Sequence, residues 1–378
     1  MDTKANDTEG NDTEANDTDV VDIEVDRSEF RTVRVHRAER SDLAGGDACV
    51  RVDRFALTTN NVTYAVFGDA LQYWDFFPAD PANWGRIPVW GFGDVVESRA
   101  DDVSVGERLY GYFPMSTEVT LTPGRSDERG FSDAAPHRAA MAGAYNRYAR
   151  VAADPLYRAD RENHQMLLYP LFFTSFLIDD FLVDNNMFGA EQVIVSSASS
   201  KTALGVAFLL HQRGGARVVG LTSPANAGFV RELGVYDDVL TYDDAAELDE
   251  RPSAFVDVAG NRDVVQAVHD RLAAGLAHSM AVGGTHWEHE VETTEDAVPG
   301  PQPVFFFAPT QISKRSRDWG RGGLDSRVGE AWDRYAGWVD GWIQFHHALG
   351  CDAVVEAYRN LLDGRTDPRT GYICGLRD

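Results

Sequence analysis

The sequence predicts an α/β protein: a doubly wound parallel sheet joined to a smaller β-rich domain. Three observations predict it. Between 192 and 284, apolar strand-like runs alternate with amphipathic helical ones, the pattern of a parallel sheet covered on both faces. Before 155 the apolar runs are shorter and separated by Gly, Pro and Asp turns, as in β-rich domains. A chain of 378 residues is also long for a single core and points to two domains.

The elements follow in order. Residues 6–20 repeat a five-residue unit, "NDTEG", "NDTEA", "NDTDV"; this acidic stretch without core residues predicts a disordered tail over 1–27. The runs "RVHRA", "ACVRVDRFAL", "IPVWGFGDVVES" and "ERLYGYFPM" then read as strands. "QMLLYPLFFTSFLIDDFLV" has the length of a helix, and "QVIVSS" (192–197) opens the alternating region. Its strands are "ARVVGLTS", "DVLTY", "SAFVDVAG" and "HSMAVGG". Its helices cover 202–213, 225–234 and 262–275, the second ending at Gly234. "PVFFFAP" (303–309) reads as a further buried strand, 330–350 as a Trp-rich helical region and 351–363 as a terminal helix.

Composition narrows the function. A formal net charge of −25 repels phosphates and anionic lipid, so no nucleic-acid or membrane partner is expected. The apolar stretch at 166–178 is followed by Asp179 and Asp180 and is too short to span a bilayer. Lysine occurs only at Lys4, Lys201 and Lys314, a balance suited to an intracellular protein in concentrated salt, where self-repulsion is screened. Cys49, Cys351 and Cys374 are far apart, giving neither a metal spacing nor a disulfide framework, and favour a reducing cytoplasm.

The turn after the first parallel strand carries the chemistry. Strand, turn, helix and second strand form half of a nucleotide-binding unit, with backbone N–H groups and the helix dipole beneath a phosphate. Where glycines usually stand, this chain has "SASSKTA". Ser199, Ser200 and Thr202 offer hydroxyls, Lys201 a point charge, and Ala203 and Gly205 small size for close packing. The same letters also suit an ordinary Ser/Thr-rich helix cap. The second strand ends in Thr222 and Ser223, with Asn226 beyond and no carboxylate, which favours NADP(H) over NAD. Lys201 or Arg231 could meet the extra phosphate. A P-loop is excluded, since "SSKT" lacks the required glycines.

From end to end of the folded part, the chain resembles the zinc-independent, quinone-reductase-like branch of the medium-chain dehydrogenase/reductase superfamily, and more closely the DUF2855 family within it. The segments that carry the likeness are "LTTNNVTYAVFGDALQYWDFFPA" (57–79), "PVWGFGDVVES" (88–98), "VGERLYGYFP" (105–114), "GARVVGLTSPANAGFVRELGVYDDVLTYDD" (215–244), "FVDVAG" (255–260), "MAVGG" (280–284) and "FFFAPTQISKRSRDWG" (305–320). The resemblance implies a Rossmann domain (156–319) inserted in a GroES-like catalytic domain (28–155), with 320–378 a helical segment packing back on the latter. It also implies NADP(H)-linked hydride transfer to a carbonyl or activated C=C bond of a small quinone- or enone-like substrate. No zinc is expected, because Cys49 has no ligand partners at the relevant spacing.

Without a metal, a phenol must meet the charge that develops on oxygen. Tyr64 is the first candidate and Tyr73 the second, with Asn61 orienting substrate or the nicotinamide ribose; aromatic packing is the competing role. Thr174 and Ser175 are candidates at the nicotinamide end, against a core role. Asn261, Gly283, Gly284 and Thr285 fall at C-terminal strand ends, where open α/β sheets bind ligands. His286 and His289 flank Glu288 in what reads as a solvated acidic loop. Lys314 joins Arg315 and Arg317 in a basic cluster suited to a phosphate or to surface carboxylates. A homodimer through the edge near 303–309 is expected. The rival reading is a catalytically silent relative that acts as a nucleotide-binding or sensing module.

Overall fold

The computed structural model describes residues 19–141, 143–258, 260–282 and 297–377. The chain starts with β1 (Asp19–Asp26), β2 (Val33–Glu39) and the long β3 (Ala48–Leu57), then α1 (Thr59–Val66) and the short β4 (Trp84–Gly85). β1 lies between β2 and β4 in a three-stranded antiparallel sheet. β5 (Pro88–Ser98), β6 (Arg108–Pro114), β7 (Glu118–Leu121), β8 (Pro123–Asp127), β9 (Gly130–Asp133) and β10 (Arg147–Arg150) complete the β-rich half.

The long α2 (Glu162–Asp184) leads into a strict alternation. β11 (Gln192–Val195), α3 (Lys201–Arg213), β12 (Arg217–Thr222), α4 (Pro224–Glu232) and β13 (Asp238–Thr241) form one wing. β14 (Ser253–Asp257), α5 (Arg262–Leu272), β15 (Leu276–Ala281) and β16 (Val304–Phe305) form the other. All pairings are parallel and the order is β13-β12-β11-β14-β15-β16. This is the dinucleotide-binding arrangement, whose ligand crevice opens where the winding reverses, beyond the ends of β11 and β14. The predicted Rossmann sheet is therefore present.

Beyond it come α6 (Ala308–Asp318), α7 (Gly320–Val339), β17 (Gln344–Leu349), α8 (Cys351–Leu362) and β18 (Thr370–Gly375). β17 and β18 enter the nine-stranded sheet of the β-rich half, in the order β17-β18-β3-β5-β6-β10-β9-β8, with β7 also on β3.

Three sequence expectations change. Of the buried strand expected at 303–309, only Val304–Phe305 is strand, both residues are exposed at the sheet edge, and a helix starts at Ala308. Disorder was expected through 27, yet Asp19–Asp26 is a strand whose Ile23 and Val25 are fully buried. Its acids are held in ion pairs: Arg34 and Arg86 neutralise buried Glu24, and Arg86 also reaches Asp22 at 2.9 Å. The Trp-rich helix stops at Val339, and Gln344–Leu349 is a mostly exposed edge strand. An edge strand needs few apolar residues, so "QFHHAL" gave no strand signal. The segment 320–378 is thus partly strand, and its helix α7 packs on α2 and α3 through Phe172, Phe208, Trp332, Tyr335 and Trp338.

α2 is long and apolar enough to cross a membrane by composition, but most of its apolar window is buried inside the protein. It joins the two halves. Ser175 Oγ donates to Leu171 O (2.9 Å) and Thr202 O (2.8 Å), and a Cβ on Gly205 would fall 2.5 Å from that hydroxyl. Gly205 is therefore required for α2 and α3 to touch. At the other end, Arg108 ties β6 to Glu162 (2.7 Å), Asp53 (2.8 Å) and Asp94 (3.0 Å).

Candidate active site

Two constellations hold the candidate residues: the turn after β11, at the crevice, and an aromatic cluster in the β-rich half. The turn is built without glycine. Ser197 takes a left-handed φ of +50° and Ala198 is wholly buried. Ala198 N donates to Leu221 O (2.9 Å), and Tyr236 OH donates to Ala198 O (3.0 Å). Gly220, on β12, makes the room: a Cβ there would lie 2.9 Å from Ala198 Cβ. The small residue has moved from the turn to the neighbouring strand.

The turn leads into α3 through an N-cap. Ser200 Oγ accepts from Ala203 N (3.3 Å), and Ser199 Oγ accepts from Asn226 Nδ2 (3.0 Å), which binds the start of α3 to that of α4. The backbone amides of Ser199, Lys201 and Thr202 make no hydrogen bond among the described residues. Uncommitted amides at a positive helix end form an anion cradle. Thr222 is buried at the end of β12, and its Oγ1 has no partner among the described residues. Ser223 caps α4 without a side-chain bond. The Tyr242 hydroxyl, overlooked in the sequence, lies beside Ser197.

The two cations expected at the cradle are engaged elsewhere. Lys201 Nζ donates to Thr370 O (2.9 Å) and Pro368 O (3.3 Å), clamping α3 to the start of β18. Burial pushes its ammonium down to about 8, against the opposing pull of Asp367. Arg231 donates to Val239 O at 2.9 Å. Asn261 caps α5 by accepting from Asp263 N and Val264 N. Gly283, Gly284, Thr285, His286 and His289 lie outside the described residues. Lys314 pairs with Asp184 and Arg315 with Asp180 (2.6 Å), so this basic cluster closes on the C-terminal acids of α2. Thr174 bonds back to Pro170 O within α2.

The second constellation starts from the cap of α1. Thr58 and Asn61 form a capping box, with Asn61 Oδ1 accepting from Thr58 N (2.8 Å) and Asn61 Nδ2 donating to Pro88 O (2.9 Å). Asn61 therefore positions α1 against β5. One turn later, Tyr64 is buried, its ring 4.6 Å from Tyr73, 5.6 Å from Tyr112 and 6.4 Å from Tyr145. Trp90 and Phe76 close the box, and Trp90 Nε1, Asn60 and Tyr112 OH border the Tyr64 hydroxyl. Burial, then Tyr145, pushes the Tyr64 and Tyr73 phenols well above their ordinary value, so both are protonated donors at neutral pH. Tyr64 and Tyr73 thus come together. Trp90, Tyr112 and Tyr145 escaped the sequence reading because they stand on separate segments.

The cluster meets α2 at a narrow cleft lined by Asn60, Asn61, Trp90, Met166, Leu167 and Pro170, with room for about one water (10 Å³). Behind Phe76 of the cluster, buried Arg138 pairs with Asp133 (3.1 Å), donates to Phe76 O (3.2 Å) and faces the Phe77 ring at 4.5 Å.

Neither acidic nor thiol groups form a convincing metal centre among the described residues. Asp22, Glu24 and His36 lie together, but Arg86 and Arg34 already occupy the carboxylates. Burial and the neighbouring Glu118 push the Cys49 thiol up to about 11, unfavourable for a thiolate ligand.

Residues 55–367 match the family described as "Protein of unknown function (DUF2855)". No match is found among curated proteins. Several solved structures share the fold. CurA from Vibrio vulnificus in complex with NADPH aligns over 92% of this chain and 94% of its own, at 12% identity and a TM-score of 0.57. The quinone oxidoreductase from Coxiella burnetii aligns over 95% and 100%, at 14% identity and 0.55. The yhdH oxidoreductase from Salmonella enterica in complex with NADP aligns over 95% and 100%, at 15% identity and 0.52.

Proposed function

The chain belongs to the DUF2855 family, and from that premise we propose that it is a zinc-independent oxidoreductase that uses NADP(H) to reduce a small carbonyl or activated C=C substrate. The observation that carries this reading is the set of three uncommitted amides, Ser199, Lys201 and Thr202, at the N-terminus of α3. They suit a diphosphate, with the hydroxyls of Ser199, Ser200 and Thr202 around them. A strand end with Thr222 and Ser223 in place of a carboxylate suits NADP(H) better than NAD(H). Two of the solved structures with this fold hold NADP or NADPH.

The bound dinucleotide would supply the hydride, two electrons and a proton's mass, to the substrate carbon. The π pair moves onto the substrate oxygen, directly or through conjugation. Tyr64, protonated and buried, donates its proton there or holds the charge. Asn61 fixes the helix on which Tyr64 stands, and Tyr73 backs its ring. The free, spaced cysteines and the acidic surface suit a reducing cytoplasm. The exposed Val304 and Phe307 at the β16 edge suit pairing with a second copy; Phe307→Asp should turn a dimer into a monomer in light scattering.

The silent-module reading draws on the engaged Lys201 and the narrow cleft. Titration of the eight-tryptophan protein with NADPH and then NADH, in molar KCl, separates the two. Saturable quenching by NADPH at a lower concentration than NADH, with NADPH oxidation in the presence of a quinone or enone, supports the enzyme. Binding without turnover across both substrate classes favours the module. No binding of either nucleotide removes the proposed cofactor.

A further inference from the structure

Three elements converge on the Tyr64 oxygen. Asn60 and Tyr64 stand one turn apart on α1, a spacing that puts both side chains on the same helix face. β5 and β6 set Trp90 directly opposite Tyr112, with ring centroids 5.1 Å apart, so both point to the same side of the sheet. Asn60, Trp90 Nε1 and the Tyr112 hydroxyl thereby come within hydrogen-bonding reach of the Tyr64 hydroxyl. The titratable groups around its ring are Tyr73, Tyr112 and Tyr145. A neutral phenol has one proton to give and two lone pairs to offer, so three donors exceed what it can accept. A phenolate can accept all three. Burial, then Tyr145, pushes the Tyr64 phenol up, and the three donors pull the other way.

We propose that Asn60, Trp90 and Tyr112 form a donor cradle for the Tyr64 oxygen, holding the phenolate that remains when Tyr64 gives its proton to a substrate. They are positioning residues that act through Tyr64. The cradle needs no space beyond the packed rings, because the anion it holds is a side chain of the cluster itself. In the step, the Tyr64 O–H bond breaks, an O–H bond forms on the substrate oxygen, and the electron pair stays on the Tyr64 oxygen. Water then returns the proton. Charge-assisted hydrogen bonds are roughly twice as strong as neutral ones, so the three gain strength as the charge appears. The role in turnover rests on the oxidoreductase reading; the cradle's hold on a phenolate does not.

The test places tetrafluorotyrosine, a phenol that ionises far more readily, at Tyr64 of the full chain and follows its ionisation by fluorine NMR in molar KCl without nucleotide. Trp90→Phe, Tyr112→Phe and Asn60→Ala should each raise the midpoint by about one pH unit, the tenfold change expected for one lost charge-assisted bond. Tyr145→Phe disturbs the same rings but removes none of the three donors, and should not raise it. Tyr112→Phe, which keeps its ring, secures the comparison if a larger change costs the native near-UV dichroism. Midpoints that stay put in the donor variants, or that rise equally in Tyr145→Phe, overturn the proposal. Kinetics with the natural Tyr64 run beside it, where Tyr112→Phe should lower kcat about tenfold with the KM for NADPH unchanged. NADPH turnover with unmoved midpoints sinks the cradle alone. Moved midpoints without NADPH binding sink the oxidoreductase reading and leave the cradle.

Discussion

Tyr64 and Arg138 show how single side chains set this site. Tyr64→Phe keeps the ring contacts and removes the proposed proton donor, so turnover should fall about a hundredfold or more while NADPH affinity stays unchanged; stopped-flow hydride transfer reads it. Arg138→Met leaves Asp133 charged and buried, and should cost about 3–5 kcal/mol in urea unfolding. It should also loosen Phe76 and Phe77, which Arg138 holds through a carbonyl and a ring face. Tyr64 and Tyr73 were legible because they share one short segment, whereas Tyr112 and Tyr145 join them only after strands pair. Arg138 was invisible for the same reason: nothing near it in sequence announces a buried counter-ion.

At the scale of elements, the clamp between α3 and β18 carries a pH signature. The Lys201 ammonium has an ordinary pKa of 10.5 and burial lowers it to about 8 in the folded chain. Between those values the unfolded chain holds a proton that the folded one has released, so stability rises with pH across that window. Lys201→Met should lose this rise, which urea midpoints on either side of pH 8 would show. The parallel sheet was legible strand by strand because buried parallel strands are continuous apolar runs. β1 and β17 were not. One hides its acids in ion pairs with Arg34 and Arg86, and the other is an edge that buries little. The turn after β11 was legible as a cradle by position only; its compensation, Gly220 beneath Ala198, needs the neighbouring strand.

For the whole molecule, a charge of −25 is a load that only screening relieves. Lowering salt from about 2 M to about 0.1 M stretches the screening length to about 10 Å. The melting temperature should fall with it in a calorimetric salt series, and a flat series would remove the salt-adapted reading. The two halves share one further dependence. β18 lies between β17 and β3, inside the β-rich sheet, although it follows every other strand in the chain. During synthesis, the ribosome delivers the parallel-sheet half entire before the partner half has its central seam. The earlier strand β3 must wait, with part of its edge open, until residues 370–375 emerge. A nascent chain stalled before 370 should expose that edge to chaperones.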